Sequence, residues 1–412
     1  MRILFIAQYF PPEMGALASR ASELSEVWSA EGCQVTVLTG FPNYPSGEVP
    51  EAYRDKIRRV VYKEMVNGVQ VVRTWLTTLS NDRAGARVLG YLSFFLSSLL
   101  TGLFLAKPDV IIASSPPLTV GLSGWLISKI RRIPFVFEIR DLWPESITAS
   151  GVSSGDSALI RTLAGMAKFL YKNSGQFVVV SPAFKEVLQD RHQVPAERIK
   201  VIPNGVKTDL FSEPRDPEQA RKELGLENKL TVSYIGNFGW AQGLQTVLEA
   251  AKILRASTHD LRFLFVGGGA DEDKLKAFAA EADLECVQFI PPQPKERIPR
   301  YIQASDICLV PLRDEPVFET AIPSKMLEFM AGSRPVILAV RGQAREILLA
   351  ARAGIDVPPE KPEELAKAVL QLVENSTQRR EMGERGSEYV RLHYNRHGLA
   401  LDYLDNLRKY LN

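Results

Sequence analysis

Residues 230–269 read LTVSYIGNFGWAQGLQTVLEAAKILRASTHDLRFLFVGGG. An apolar run of strand length ends in Gly236, a helical stretch covers 241–256, and a second apolar run ends in Gly267-Gly268-Gly269. Short apolar runs separated by a helix are the signature of parallel strands buried on both faces. The pattern continues through CVQFI (286–290), DICLVPL (306–312) and SRPVILAV (333–340). Ahead of residue 230 it has already run once. ILFIA (3–7), QVTVLT (34–39), DVIIAS (109–114), PFVFEI (134–139) and QFVVVS (176–181) read as strands. Ala21, Leu24, Val27 and Trp28 recur at helical spacing within 16–30, and Asn67-Gly68 between two β-rich runs predicts a hairpin turn. The chain is therefore expected to be α/β, with two Rossmann-like doubly wound domains. The polar stretch 206–228 separates them, giving domains over 1–207 and 208–393. Residues 394–412 carry an amphipathic helix expected to return to the first domain.

Length and composition agree. The chain has 412 residues, 45% hydrophobic and 24% charged, enough to bury two cores. Fifty Lys and Arg against 48 Asp and Glu give a formal charge of +2, without the basic excess that nucleic acid binding calls for. Cys33, Cys286 and Cys308 are far apart and odd in number, which speaks against a disulfide framework or a structural zinc site. The four histidines lie at 192, 259, 393 and 397, so chemistry in the first third cannot rest on histidine. The opening residues read as a first strand rather than a signal peptide.

Ligands of open α/β sheets lie beyond the carboxyl ends of the strands, so the residues that follow each strand are the candidates. Gly15 precedes the first helix, where free N–H groups suit a phosphate or sugar hydroxyl, although a plain βα loop reads equally well. No GxGxxG follows the first strand, so a dinucleotide fingerprint is missing. Gly267 permits a tight passage near a ligand or is simply a turn. Asp271-Glu272-Asp273 could hold a metal, but acids in a first helical turn complement the helix dipole, and that reading is preferred. EIRDLWPES (138–146) ends a buried strand in Arg140, Asp141, Trp143 and Glu145, which suit phosphate binding, proton acceptance and sugar stacking. In IPSKMLEFMAGSRPVI (322–337), Ser324 and Lys325 open a helix and make a diphosphate cradle, while Glu328 one turn on suits the paired hydroxyls of a ribose.

Taken in order, VIPNGV (201–206), YIGNFGWAQGL (234–244), FVGGG (265–269) and IPSKMLEFMAGSRPVI (322–337) resemble the retaining glycosyltransferases of family four. YFPPEMGALASRASEL, FPNYPSG and RDLWPES narrow the likeness to bacterial N-acetyl-L-fucosamine and colanic-acid transferases. The resemblance implies a GT-B fold, two Rossmann-like domains facing across a cleft. It implies a nucleotide-diphosphate sugar donor, UDP-linked, held mainly by the second domain, with no metal required. Gly236 and Asn237 would lie near the diphosphate, and Ser324 and Lys325 would contact it. Glu328 would hold the ribose, and Glu319 stands beside the position of the family's first glutamate, which here is Thr320. Gln242 stands where the family usually has a diphosphate lysine, and the first-domain catalytic histidine is missing. The load then shifts to Lys325, Arg140 and Asp141 as the catalytic set. The acceptor implied is a polyprenyl-diphosphate-linked saccharide of surface polysaccharide synthesis (lipopolysaccharide, O-antigen or exopolysaccharide). A nucleotide-sugar epimerase of the same architecture and a silent nucleotide-sugar or membrane scaffold remain the alternatives.

Val88–Ala106 is nineteen residues without a charge. Strands on both sides must join one sheet, which argues against a single span. Gly90, Ser93, Ser97 and Thr101 share a small face expected to pack on protein. The rest, with Phe95 and Leu99, is expected either to dock on lipid or to be a core helix. Docking would make the protein peripheral on the cytoplasmic face of the inner membrane.

Overall fold

A computed structural model describes residues 1–411 except 14, 45–46, 79–83, 144–157, 212–215, 228 and 256–259. It divides into two compact units, 1–204 with 396–412, and 205–395. The division falls three residues before the linker boundary read from the sequence. The last helix, Arg396–Leu411, lies in the first unit against the helix Ala16–Ala30. There Trp28 Nε1 donates to the Ala400 carbonyl at 2.9 Å.

The first unit is an eight-stranded sheet. Its strands are β1 Arg2–Ile6, β2 Gln34–Gly40, β3 Val61–Val66, β4 Val69–Thr74, β5 Val110–Ser114, β6 Phe135–Ile139, β7 Gln176–Val179 and β8 Ile199–Val201, in the order β3-β4-β2-β1-β5-β6-β7-β8. All pairs are parallel except the hairpin β3–β4. Asn67 and Gly68, with φ of 48° and 79°, form its turn, since two positive φ values match the twist of the strands. The second unit is an all-parallel sheet of β9 Leu230–Asn237, β10 Leu261–Gly268, β11 Val287–Ile290, β12 Ile307–Pro311, β13 Val336–Ala339 and β14 Gly354–Asp356, in the order β11-β10-β9-β12-β13-β14. Strand order reverses at β1 in the first sheet and at β9 in the second. Gly15 lies in the loop after β1 and Gly236 at the carboxyl end of β9, at the crevices where such sheets bind ligands.

The apolar helix, Ala84–Phe104, is the crossover from β4 to β5 and presents three faces. Phe94 and Ser98 are fully buried, and Gly102 faces Ile127 of the helix Leu118–Arg131. The small face packs on residues 74–77. Ser93 Oγ accepts the Thr77 N–H at 2.9 Å, Ser97 Oγ donates to the Trp75 carbonyl, and Thr101 meets Thr74 at 3.0 Å. The third face leaves Leu89, Leu92, Leu96, Leu100 and Phe104 in the open, Phe104 at 88% exposure. Only 17% of its most apolar window is buried, so a core helix is the wrong description. The outward stripe also differs from the one expected. Leu99 packs against the core and Phe95 is half-buried, because the small face, not the most apolar residues, fixed the rotation of the helix.

Candidate active site

In the second unit the site is built where β9, β10 and β12 end. Paired in register, Gly236 lies beside Gly267 and Asn237 beside Gly268. A Cβ on Gly267 would sit 1.9 Å from the Gly236 carbonyl oxygen, so its glycine answers a close backbone approach as much as any ligand. A Cβ on Gly236 would stand 3.0 Å from Lys325 Nζ, so the missing side chain leaves the ammonium next to the strand end.

Ser324 and Lys325 begin the helix Ser324–Ala331, whose first N–H groups precede its own ladder. Lys325 Nζ donates to Tyr234 Oη at 2.7 Å and to Gln242 Oε1 at 2.6 Å. Tyr234 is buried in β9, and its hydroxyl lies 2.7 Å from the Asn237 carbonyl and 3.0 Å from Gln242 Oε1. The ammonium thus rests on two neutral oxygens and the face of a phenol, 4.3 Å from the ring centre. Burial pulls the Lys325 pKa down to about 7, and Glu328 one turn on opposes the shift. Gln242 is thus engaged through its amide oxygen, which receives Lys325.

Glu328 is half-buried on the same helix, and Glu319 is exposed on the short turn Pro316–Thr320. Thr320 Oγ1 donates to the Val317 carbonyl at 3.0 Å, a local turn bond. Beyond β12, Arg313 stacks over Trp240 at 4.6 Å and donates to its carbonyl. Asp271 precedes the helix Glu272–Glu281 at its dipole's positive end and lies 3.6 Å from Lys274, while Glu272 pairs with Lys276 at 2.6 Å. Those acids serve the helix.

In the first unit, Gly15 has φ of 121° at the start of the helix Ala16–Ala30, and a Cβ there would meet nothing within 4 Å. Arg140 departs from its expected role. It is 7% exposed and donates to the Ala16 and Leu17 carbonyls at 2.8 and 3.3 Å, so it positions the first helix instead of offering itself to phosphate. Burial and the neighbouring Arg20 lower its pKa to about 10. Asp141 is half-buried, and burial raises its carboxyl to about 6 against the pull of Arg140. Trp143 leans on Tyr91 of the apolar helix with ring centres 6.2 Å apart, which ties it to protein. Glu145 lies outside the described residues.

Several residues were not legible as part of the site. Arg20 is 3% exposed and bonds Glu138 Oε2 at 3.0 Å, the Pro203 carbonyl at 2.9 Å and Ile202 at 3.0 Å, while Ser114 donates to Glu138 at 2.7 Å. Glu13 accepts the N–H groups of Phe10, Asn43 and Tyr44 at 3.0–3.2 Å, and burial lifts its pKa to about 7. Tyr234 is marked in the sequence only as a phenol inside a buried strand.

The description "Glycosyl transferase 4-like domain" matches residues 15–205, and "Glycosyl transferases group 1" matches 216–389. The putative colanic acid biosynthesis glycosyl transferase WcaI of Escherichia coli (strain K12) is 29% identical over 401 residues, 93% of this chain and 96% of that one. Sucrose-phosphate synthase from Thermosynechococcus elongatus superposes with a TM-score of 0.77 at 21% identity, over 99% of this chain and 98% of its own. Anabaena Alr3699/HepE, solved with UDP-glucose, gives 0.74 at 17% identity, over 99% and 100%. With two matched domains in this order on two doubly wound sheets, the chain belongs to the GT-B glycosyltransferases that join a 4-like domain to a group 1 domain.

Proposed function

We propose that this glycosyltransferase moves a hexose, or an acetamido or deoxy hexose, from a UDP-linked donor to a polyprenyl-diphosphate-linked saccharide. It does so at the cytoplasmic face of the inner membrane, in bacterial surface polysaccharide synthesis, with retention of configuration and without a metal. The observation that carries the donor half is Lys325, a half-buried cation held by neutral oxygens at a helix N-terminus. A diphosphate replaces those weak partners with full charge, and preorganised donors aimed at a leaving group are the largest usual catalytic contribution. Ser324 adds a hydroxyl, Gly236 and Asn237 lie near the diphosphate, Glu328 takes the ribose, and Glu319 serves the sugar. UDP-glucose is the ligand of the Anabaena protein, which supports a uridine donor.

The acceptor half rests on the apolar helix. Its open stripe leaves five large side chains in water, each worth ~1.5–3 kcal/mol when buried. Lys107 follows the helix, Arg54, Lys56, Arg58 and Arg59 precede β3, and Lys129, Arg131 and Arg132 close the helix packed beside it. An apolar stripe flanked by cations suits an anionic bilayer, and colanic acid synthesis is the role given to the Escherichia coli relative. Retention needs no protein base, since the leaving phosphate can take the acceptor proton, so Asp141 serves to position sugar. Labelled UDP-sugars incubated with native polyprenyl-linked saccharides test the reading. Lipid-soluble label with unchanged anomeric configuration is expected. Release of free or epimerised sugar without lipid product would overturn it.

A further inference from the structure

Glu13 lies in the loop after β1 and is 7% exposed. Its Oε2 accepts the Phe10 N–H at 3.2 Å, and its Oε1 accepts the N–H groups of Asn43 and Tyr44 at 3.1 and 3.0 Å. One carboxylate thus ties the loop after β1 to the loop after β2. Both loops are fixed at their roots. Thr39 Oγ1 and the Gly40 N–H donate to the Gln8 carbonyl at 3.0 and 3.2 Å, and Phe10 and Phe41 are buried. Arg73 of β4 donates to the Pro11 and Gly40 carbonyls at 2.5 and 3.3 Å. Arg73 is itself matched to Glu64 at 2.5 Å, so Glu13 is not spent as its counter-charge.

The latch holds an aromatic ring. Tyr44, whose N–H Glu13 accepts, is 47% exposed and packs on Tyr9 with ring centres 5.1 Å apart. Tyr9 is half-buried and donates to Tyr91, which leans on Trp143 at 6.2 Å. Trp143 stands two residues after Asp141. Ring contacts therefore run along the carboxyl edge of the sheet, from the loop after β2 to the residues after β6, and of the four rings Tyr44 is the open one. The same edge holds unspent polar capacity. Gln8 and Ser115 each stand two residues past the paired Ile6 and Ala113, and Gln8 Oε1 and Ser115 Oγ are buried without a partner among the described residues. An open ring face and unspent polar atoms on one sheet edge suit a pyranose, which shows C–H groups on its faces and hydroxyls at its rim.

We propose that Tyr44 is the platform for a sugar ring of the acceptor saccharide, and that Glu13 is its positioning residue, locking the second loop onto the first so that the ring is set before the sugar arrives. The inference rests on the saccharide acceptor proposed above and goes further by assigning residues to it. Water could satisfy the three N–H groups without any carboxylate, but the loop would then have to be ordered on binding. Bonds from one oxygen to two consecutive N–H groups fix the peptide planes that aim Tyr44, and a contact is precise when its support is locked by hydrogen bonds.

The test uses the full chain. Its probes are native polyprenyl-linked saccharides and the water-soluble glycans released from them by mild acid. Glycan binding is measured by calorimetry with UDP saturating the second unit, and transfer is measured with the UDP-sugar. Tyr44→Ala, at an exposed position, should weaken glycan binding by ~3–10-fold, the range that aromatic contacts give, and leave UDP affinity unchanged. Tyr44→Phe keeps the ring and should restore most of the loss. Glu13→Gln keeps the shape but offers one oxygen in place of two, so one loop is released. It should raise KM for the lipid-linked saccharide while kcat and KM for the UDP-sugar stay within ~2-fold, a split that a general loosening of the fold does not produce. Added to Tyr44→Ala, Glu13→Gln should cost nothing further, because it acts through that ring. Wild-type protein that binds no glycan, or Tyr44→Ala that binds it as well as wild type, overturns the platform. Additive losses, equal losses for donor and acceptor, or a Glu13→Gln protein that does not fold overturn the positioning role and leave Glu13 as a structural tie. Glycan binding through Tyr44 without transfer to any polyprenyl-linked saccharide would uphold the platform and reject the acceptor proposed above. Transfer that Tyr44→Ala leaves untouched would do the reverse.

Discussion

The two units bury cations at their strand ends in opposite ways. In the first, Arg20 lies against Glu138 and three oxygens at the 202–204 turn, and Arg140 is spent on two helix carbonyls. Glu138 is pushed up by burial and pulled further down by Arg20, so it stays ionised below the usual carboxylate range. In the second, Lys325 has, among the described residues, a phenol and an amide oxygen as hydrogen-bond partners, and its pKa falls to about 7. A cation matched to a buried carboxylate is architecture, because nothing is gained by exchanging its partner. A cation left on neutral oxygens stays costly until an anion arrives, so binding energy is stored there for a diphosphate.

The comparison breaks first at Arg20. Arg20→Met should cost ~3–5 kcal/mol of stability in denaturant unfolding, since Glu138 is left buried and unpaired. A loss under 1 kcal/mol would mean that the pair is not structural. Lys325→Met should do the reverse, sparing stability while turnover falls by ~100–1000-fold, the usual effect of removing one preorganised donor. UDP-sugar affinity should fall less than turnover, and equal losses in both would mark Lys325 as a uniform binder. Glu328→Ala should weaken UDP itself by ~1.5–3 kcal/mol in calorimetry, the range for hydrogen bonds to a charged group.

The two remaining effects depend on pH. Below pH 7 the free enzyme carries Lys325 charged, and affinity for a UDP-sugar, whose diphosphate does not titrate there, should be flat. Above pH 7 the lysine is neutral before binding and must take up a proton, so affinity should fall by up to ~10-fold per pH unit, until the raised pKa of the complex is reached. Proton uptake measured in buffers of different ionisation enthalpy checks the sign, and Lys325→Met should remove the slope. With a carboxyl titrating near 6, Asp141 should give kcat/KM an acid limb there, activity rising with pH as the carboxylate forms. Asp141→Asn should erase that limb at a rate cost under ~100-fold if the carboxylate positions sugar, and above it if it acts as base.

Most strands and the hairpin were readable because they depend on local facts. A run of β-branched residues is buried or it is not, and Asn-Gly tolerates positive φ wherever it occurs. The exceptions are instructive. Ile199–Val201 and Gly354–Asp356 are three-residue strands at the ends of their sheets, too short to show a period. The site divides along the same line. Gly236, Asn237, Ser324, Lys325 and Glu328 could be singled out because they end a strand or lie at the start of a helix, positions that a pattern exposes. Arg140 was misread because its two acceptors lie more than 120 residues away in sequence.

By itself the sequence determined the α/β class, the doubling of the sheet, the small face of the apolar helix and the order of motifs that carries the glycosyltransferase resemblance. Each follows from periodicity or from backbone preference within a few residues. Tertiary structure alone decided which charges are used up and which are left available. Arg20 and Lys325 are alike as sequence, each a basic residue in the first turns of a helix. They differ because one folds onto a carboxylate 118 residues away and the other onto a phenol and an amide. It also decided that Leu96 and not Leu99 faces outward, since the rotation of a helix is fixed by what its smallest residues can approach, and that is a property of the neighbours.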